Sequence, residues 1–170
     1  MSIIQSIVLV CDTCRLEVPV EESRRFIRVN RSGAGALVML TSFGWCGRCW
    51  QVGPCESIPG LDELEVDMEI ARQAEGDPGA VNMLSVDEVI ELVRWRKGRV
   101  SPPRCLSCGS TNVTAASLSN QGSLVVPHQG CSGRLVSQGV HYRDGAMTDV
   151  LLDEEGNQVD GEPGAGGAEC

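Results

Sequence analysis

The chain has 170 residues and a formal charge of −9, with 23 acidic against 14 basic side chains. That length suits one ordinary domain or two small ones, and that acidity excludes general nucleic-acid binding by bulk attraction. No apolar run approaches the roughly 20 residues of a membrane-spanning helix, and no basic segment followed by an apolar one opens the sequence, so no membrane partner is expected.

Ile3 to Val10 is apolar, short and β-branched, and reads as a buried strand. Cys11-Asp-Thr-Cys14 follows it. Arg25–Val29 and Ala36–Thr41 are β-prone, and the polar, glycine-containing stretch 30–35 between them reads as a loop. Next come Phe43, Trp45 and Trp50, crowded around Cys46-Gly-Arg-Cys49. These aromatics fit a small core better than an exposed patch. Pro59-Gly60 then opens a helix over 61–75, with Leu61, Leu64, Met68 and Ala71 at helical spacing and Asp62, Glu63 and Glu65 in the first turn. Gly76-Asp77-Pro78-Gly79 stops it. Ser85-Val86-Asp87-Glu88 is a capping box. Val86, Val89, Ile90 and Val93 continue it as one face of a second helix, which Gly98 and Pro102-Pro103 end.

Cys105-Leu-Ser-Cys108 begins a second β-rich stretch. Thr111–Ser117 and Ser123–Val126 read as strands around a turn at 119–122. His128-Gln-Gly-Cys131 follows, then a strand over Leu135–Tyr142. Asp144-Gly145 predicts a hairpin into Met147–Leu152. From Asp153 onward the chain is acidic and glycine-rich, a composition that buries too little to order itself. The expected organisation is 1–58 as a first metal module, 59–103 as a helical linker, 104–152 as a second metal module and 153–170 as a tail.

Four pairs of metal-type ligands, each with two intervening residues, supply the chemistry. One tight turn can present both members of such a pair to a single ion, and eight ligands close two tetrahedra. Sequence neighbours are grouped: Cys11, Cys14, Cys46 and Cys49 in one centre, and Cys105, Cys108, His128 and Cys131 in the other. Glycines at 47, 109 and 130 suit turns that need positive φ. The nine cysteines could instead suggest disulfides, but the count is odd and the spacing is that of metal knuckles. A reducing, cytoplasmic setting with two structural zinc ions is therefore expected. Cys55 and Cys170 have no partner at ligand spacing. Cys55 reads as buried and Cys170 as a free tail thiol, while His141 lies on a strand without a paired ligand.

VCDTCRLE with WCGRCWQVG, and RCLSCGSTNV with HQGCSGRLV, resemble the zinc-ribbon class. The resemblance implies two ribbon modules, each around a structural metal, and with the helical segment that joins them the expected fold is α+β. One module would use four cysteines, and the other three cysteines and a histidine. The resemblance names no single function, because ribbons of this class serve transcription, translation and replication machinery and act as adaptors. Four ligands per centre argue against catalytic zinc, which keeps a position open. His-x-Glu and His-Glu-x-x-His, the signatures of zinc deaminases and metalloproteases, are absent.

The expected role is a non-enzymatic interaction module for a protein or nucleoprotein partner. One alternative is a nucleic-acid-binding accessory factor using Arg94, Arg96, Lys97, Arg99 and Arg104, although cations at a helix C-terminus also complement its dipole. Another is a thiol–disulfide oxidoreductase at Cys46 and Cys49, since Trp-Cys-Gly-Arg-Cys resembles the thioredoxin motif. That fold begins a helix at its motif, whereas Trp50-Gln-Val-Gly-Pro has no helical pattern.

Overall fold

The structure is a computed structural model and describes residues 2–29, 36–75 and 84–159. Eleven strands and two helices occur among these residues, an α+β fold as expected. The strands are β1 (Ser2–Cys11), β2 (Glu17–Glu22), β3 (Arg24–Val29), β4 (Ala36–Val38), β5 (Thr41–Cys46) and β6 (Gln51–Glu56). Helices α1 (Leu61–Ala74) and α2 (Val86–Gly98) follow. The chain then continues through β7 (Val113–Ala115), β8 (Ser117–Leu118), β9 (Leu124–Pro127), β10 (Arg134–Gly145) and β11 (Thr148–Leu152).

Two compact units result. One joins Met1–Ser57 to Pro102–Cys170, and the other is Ile58–Ser101. The expected modules 1–58 and 104–152 are therefore halves of one β unit. The cause is long-range strand pairing: β1 runs antiparallel to β10, from Ser2 opposite Gly145 to Cys11 opposite Leu135. A bulge between Val8 and Leu9 leaves Gln138 unpaired in this ladder. The largest sheet has the order β2-β1-β10-β9-β8, and two three-stranded sheets have the orders β11-β3-β4 and β6-β5-β7.

Alternation along β1 sends Ile7, Leu9 and Cys11 to one face. There they pack with Val20, Trp45, Val52, Val126 and Leu135, which come from both halves of the chain. A smaller cluster of Phe26, Met39 and Leu152 forms around β3 and β11.

The last strands depart from expectation. β10 runs on through Asp144 and Gly145, because β1 offers partners along that whole length. β11 forms no hairpin with it; it lies parallel to β3, with Arg25 opposite Asp149 and an ion pair of 2.8 Å between them. The expected tail also begins inside the fold. Asp153 accepts the amides of Glu155 and Asn157 at 2.9 and 2.8 Å, and the Asn157 side chain accepts from Arg104 at 3.0 Å. Residues 160–170, with Cys170, lie outside the described residues, as do the expected loop at 30–35 and the stop at 76–79.

The helical unit follows its sequence signals. Ser85 Oγ accepts the Glu88 amide at 3.3 Å and the Glu88 carboxylate accepts the Ser85 amide at 2.8 Å, which completes the capping box. Leu64 and Ala71 of α1 and Val89 and Leu92 of α2 are buried. Among the four α2 residues read as the apolar face, only Val89 is fully buried.

Gly44 marks the closest approach of β5 to β7. A Cβ there would lie 2.7 Å from the Thr114 carbonyl oxygen and 3.1 Å from Cys55 Sγ. Gly44→Ala is expected to destabilise the β unit by about 1–3 kcal/mol through overpacking, read as a lower denaturant midpoint with α-helical signal retained. An unchanged midpoint would contradict this pairing.

Candidate metal centres

Each Cys-x-x-Cys turn is built alike. The Cys14 amide faces Cys11 Sγ at 3.5 Å, and the Arg15 amide donates to the Cys11 carbonyl at 3.2 Å. The Cys49 amide faces Cys46 Sγ at 3.4 Å, and the Trp50 amide donates to the Cys46 carbonyl at 2.8 Å. Gly109 donates to the Cys105 carbonyl at 2.8 Å. Amides aimed at the first sulfur favour its thiolate, the form that binds metal.

The residue after each second cysteine takes the left-handed conformation: Arg15 at φ 61°, Trp50 at φ 55° and Gly109 at φ 70°. Of the three glycines expected to have positive φ, only Gly109 does. The turn requires left-handed backbone one residue after the second cysteine, so Gly47 and Gly130 sit at the wrong place to supply it. Two of the knuckles instead place a bulky side chain there, at a cost of roughly 1–2 kcal/mol each.

The strands decide which turns meet. β1 hands Cys11 to the start of β10, where the Asp12 amide donates to the Arg134 carbonyl at 2.9 Å. This sets the first turn against the 128–131 turn that leads into β10. In the other centre Cys46 lies opposite Val113, and the Leu106 amide donates to the Pro54 carbonyl at 3.0 Å.

Two groups of four ligand atoms result: Cys11, Cys14, His128 and Cys131, and Cys46, Cys49, Cys105 and Cys108. The grouping by sequence neighbours is thereby corrected. All eight expected ligands take part, but the first pair meets the fourth and the second meets the third. The outer centre has three cysteines and a histidine, and the inner one has four cysteines. Spacing alone identified the ligands, whereas pairing depends on the β1–β10 ladder, which no local signal announces.

The distances fit a tetrahedral ion. Zinc–sulfur bonds of about 2.3 Å imply sulfur–sulfur edges of about 3.8 Å and sulfur–nitrogen edges of about 3.6 Å. Cys11 and Cys131 sulfurs are 3.5 Å apart, Cys46 and Cys108 3.6 Å, and Cys49 and Cys105 4.0 Å. His128 Nδ1 lies 3.3, 3.6 and 3.1 Å from the sulfurs of Cys11, Cys14 and Cys131. A disulfide needs about 2.05 Å, so these are thiol clusters.

Burial works against the Cys11 thiolate, yet hydrogen bonds from the Cys14 amide, His128, the Thr13 amide and Cys131 outweigh it and lower its pKa to about 6. Burial pushes Cys105 up to about 11 without a metal. Cys55 is buried, as expected, and is also held near 11, first by burial and then by Cys105 and Glu56. It belongs to neither cluster and stays a thiol.

The aromatics divide. Trp45 is buried and Phe43 packs against the same core, but Trp50 is 60% exposed, against the core expectation. The Trp45 ring lies 5.4 Å from His128 and meets Trp50 edge-on at 5.7 Å.

The side chains of Arg104 and Arg134 turn to other groups, Arg104 to Asn157 at 3.0 Å and Arg134 to Asp12 at 3.4 Å. Arg134 donates its amide to Asp12 at 2.8 Å, and that bond, first among several, holds the Asp12 carboxyl below its usual range. The Arg104 amide donates to the buried Glu56 carboxylate at 3.0 Å.

The expected basic cluster is divided between the units, with Arg104 in the β unit and residues 94–99 in the helical one. Arg94 pairs with Glu91. Arg96 donates to the Pro59 carbonyl at 3.1 Å, and the buried Arg99 donates to the Ser101 carbonyl at 3.1 Å and lies over the Trp95 ring. The Cys46–Cys49 turn connects two antiparallel strands, so a thioredoxin-type helix does not start there. His141 is exposed on β10, apart from both clusters. No described helix is long and apolar enough to cross a membrane.

Fold and ligand set together define an α+β protein with two Cys/His clusters, each able to hold a metal ion, whose members come from both halves of one β unit. No family model matches the chain, and neither a curated protein nor a solved structure does.

Nested pairing has a direct test in saturating metal. Cys14→Ser with His128→Ala is expected to remove one ion, and Cys14→Ser with Cys49→Ser to remove both. Pairing of sequence neighbours predicts the reverse, so metal counting by mass spectrometry decides. Separately, Arg15→Gly should raise the melting temperature, because glycine reaches φ 61° without strain. A lower melting temperature would show that the Arg15 side chain stabilises the turn by more than its backbone costs.

Proposed function

We propose that this chain is a zinc-dependent interaction module without enzymatic activity that recognises a protein or nucleoprotein partner. The observation that carries this reading is the ligand count. Each cluster offers four side chains within 4.8 Å of one another, which closes a tetrahedron and leaves no position for a substrate. Three or four thiolates per centre are soft donors that suit zinc. When bound, the ions would supply folding energy; the residues around them supply the surface.

That surface has aromatic anchors of the kind interfaces use. Trp50 is 60% exposed and Tyr142 is 69% exposed. Trp50 directly follows Cys49, one of the four residues of the inner centre, so an exposed aromatic sits at the edge of that centre. A cytoplasmic setting is part of the proposal, since thiol clusters persist where thiols stay reduced.

Purified protein is expected to carry two zinc ions per chain by elemental analysis, and chelation should unfold the β unit. One ion or fewer after metal-replete preparation would refute the assignment. Binding to a generic single-stranded oligonucleotide at physiological salt should be no tighter than about 10⁻⁵ M. Sub-micromolar affinity there would replace the protein-partner reading with the nucleic-acid one.

A further inference from the structure

The two centres share wall material. Trp45 immediately precedes Cys46, a ligand of the inner centre, while its ring packs 5.4 Å from His128, a ligand of the outer one. Cys11 and Trp45 also belong to the same buried cluster, with Val52, Val126 and Leu135. β5 carries Cys46 and pairs with β7 just after the Cys105–Cys108 turn. From β7 the chain passes through β8 and β9 to Pro127 and His128. Ordering the inner centre therefore places the strand that ends at the outer one.

Chain topology adds to this. Cys14 and His128 are 114 residues apart, and the loop they close contains the inner span of 62 residues from Cys46 to Cys108. Once the inner centre has closed, the loop remaining for the outer one is about halved. The three-halves power law for loop closure makes that worth about threefold in affinity. The Trp45 contact and the shared core come on top, because the outer ligands then meet a wall already in place.

We infer that the two centres load cooperatively, so that one ion raises the affinity of the other site about tenfold and the chain switches between metal-free and doubly loaded forms. This rests on the reading that both clusters bind zinc. Coupling is reciprocal by linkage: either ion, bound first, favours the second by the same factor.

The test uses wild-type protein titrated with zinc and observed by native mass spectrometry. At half saturation, tenfold coupling of otherwise equal sites leaves about a quarter of chains with one ion, against about half for independent equal sites and more for unequal ones. Affinities of each site alone, measured in Cys49→Ser for the outer centre and Cys14→Ser for the inner one, set the one-ion fraction expected without coupling; a wild-type fraction below that value is expected, and one equal to or above it overturns the inference. Trp45→Leu removes the ring contact while keeping every ligand, and should raise the one-ion fraction toward the value that loop closure alone sets. A fraction unchanged in a variant that still binds two ions would show that Trp45 does not carry the coupling. Failure to bind two ions in excess zinc would defeat the metal reading itself, an outcome distinct from uncoupled binding of two.

Discussion

The antiparallel ladder between β1 and β10 is the constraint on which the rest of this molecule depends. It joins the first ten residues of the fold to a strand that starts at residue 134, and everything between must be accommodated within that closure. It sets Cys11 against the 128–131 turn, brings Leu9 and Leu135 into one core and leaves the inner ligands to find one another. Such a closure is entropically unfavourable and is offset by the burial that follows it. In a chain of 170 residues with four per cent aromatics, four ligands closing on an ion at each centre would supply what a modest apolar core leaves short.

Local features of this fold were legible in the sequence. The strand at the start, both helices, the Ser85 capping box and all eight ligands rest on patterns within a few residues of one another. The pairing of ligands was not legible, because Cys11 and His128 are 117 residues apart and their meeting depends on strand register. The same limit hid the fate of Met147–Leu152. Its turn signal was real in composition, but β3 offered a parallel edge and β1 held β10 straight through Gly145. Left-handed backbone at Arg15 and Trp50 was hidden for a different reason. Glycine marks such positions only when the chain avoids the strain, and here two of three turns accept it.

The helical unit occupies an interruption in the β unit rather than a junction between modules. The chain leaves after Ser57 and returns at Pro102, and the gap is bridged within the β unit. The Glu56 amide donates to the Arg104 carbonyl at 3.0 Å, and the Glu56 side chain accepts the Arg104 amide at 3.0 Å. Cys55 and Cys105 form a further β-bridge beside it. Cys105, one of the inner four ligands, lies in this clasp, so the insertion point and the inner centre share a residue.

Nesting also dictates an order of events during synthesis. Cys11 and Cys14 leave the ribosome early and wait for His128 and Cys131, which are translated more than a hundred residues later. At typical elongation rates of about 5–20 residues per second, that is an interval of many seconds on slow ribosomes. The inner four ligands are all available sooner. A nascent chain therefore holds all four inner ligands while Cys11 and Cys14 still lack their partners, and β1, which can pair with β2 at once, gains its β10 partner only afterwards.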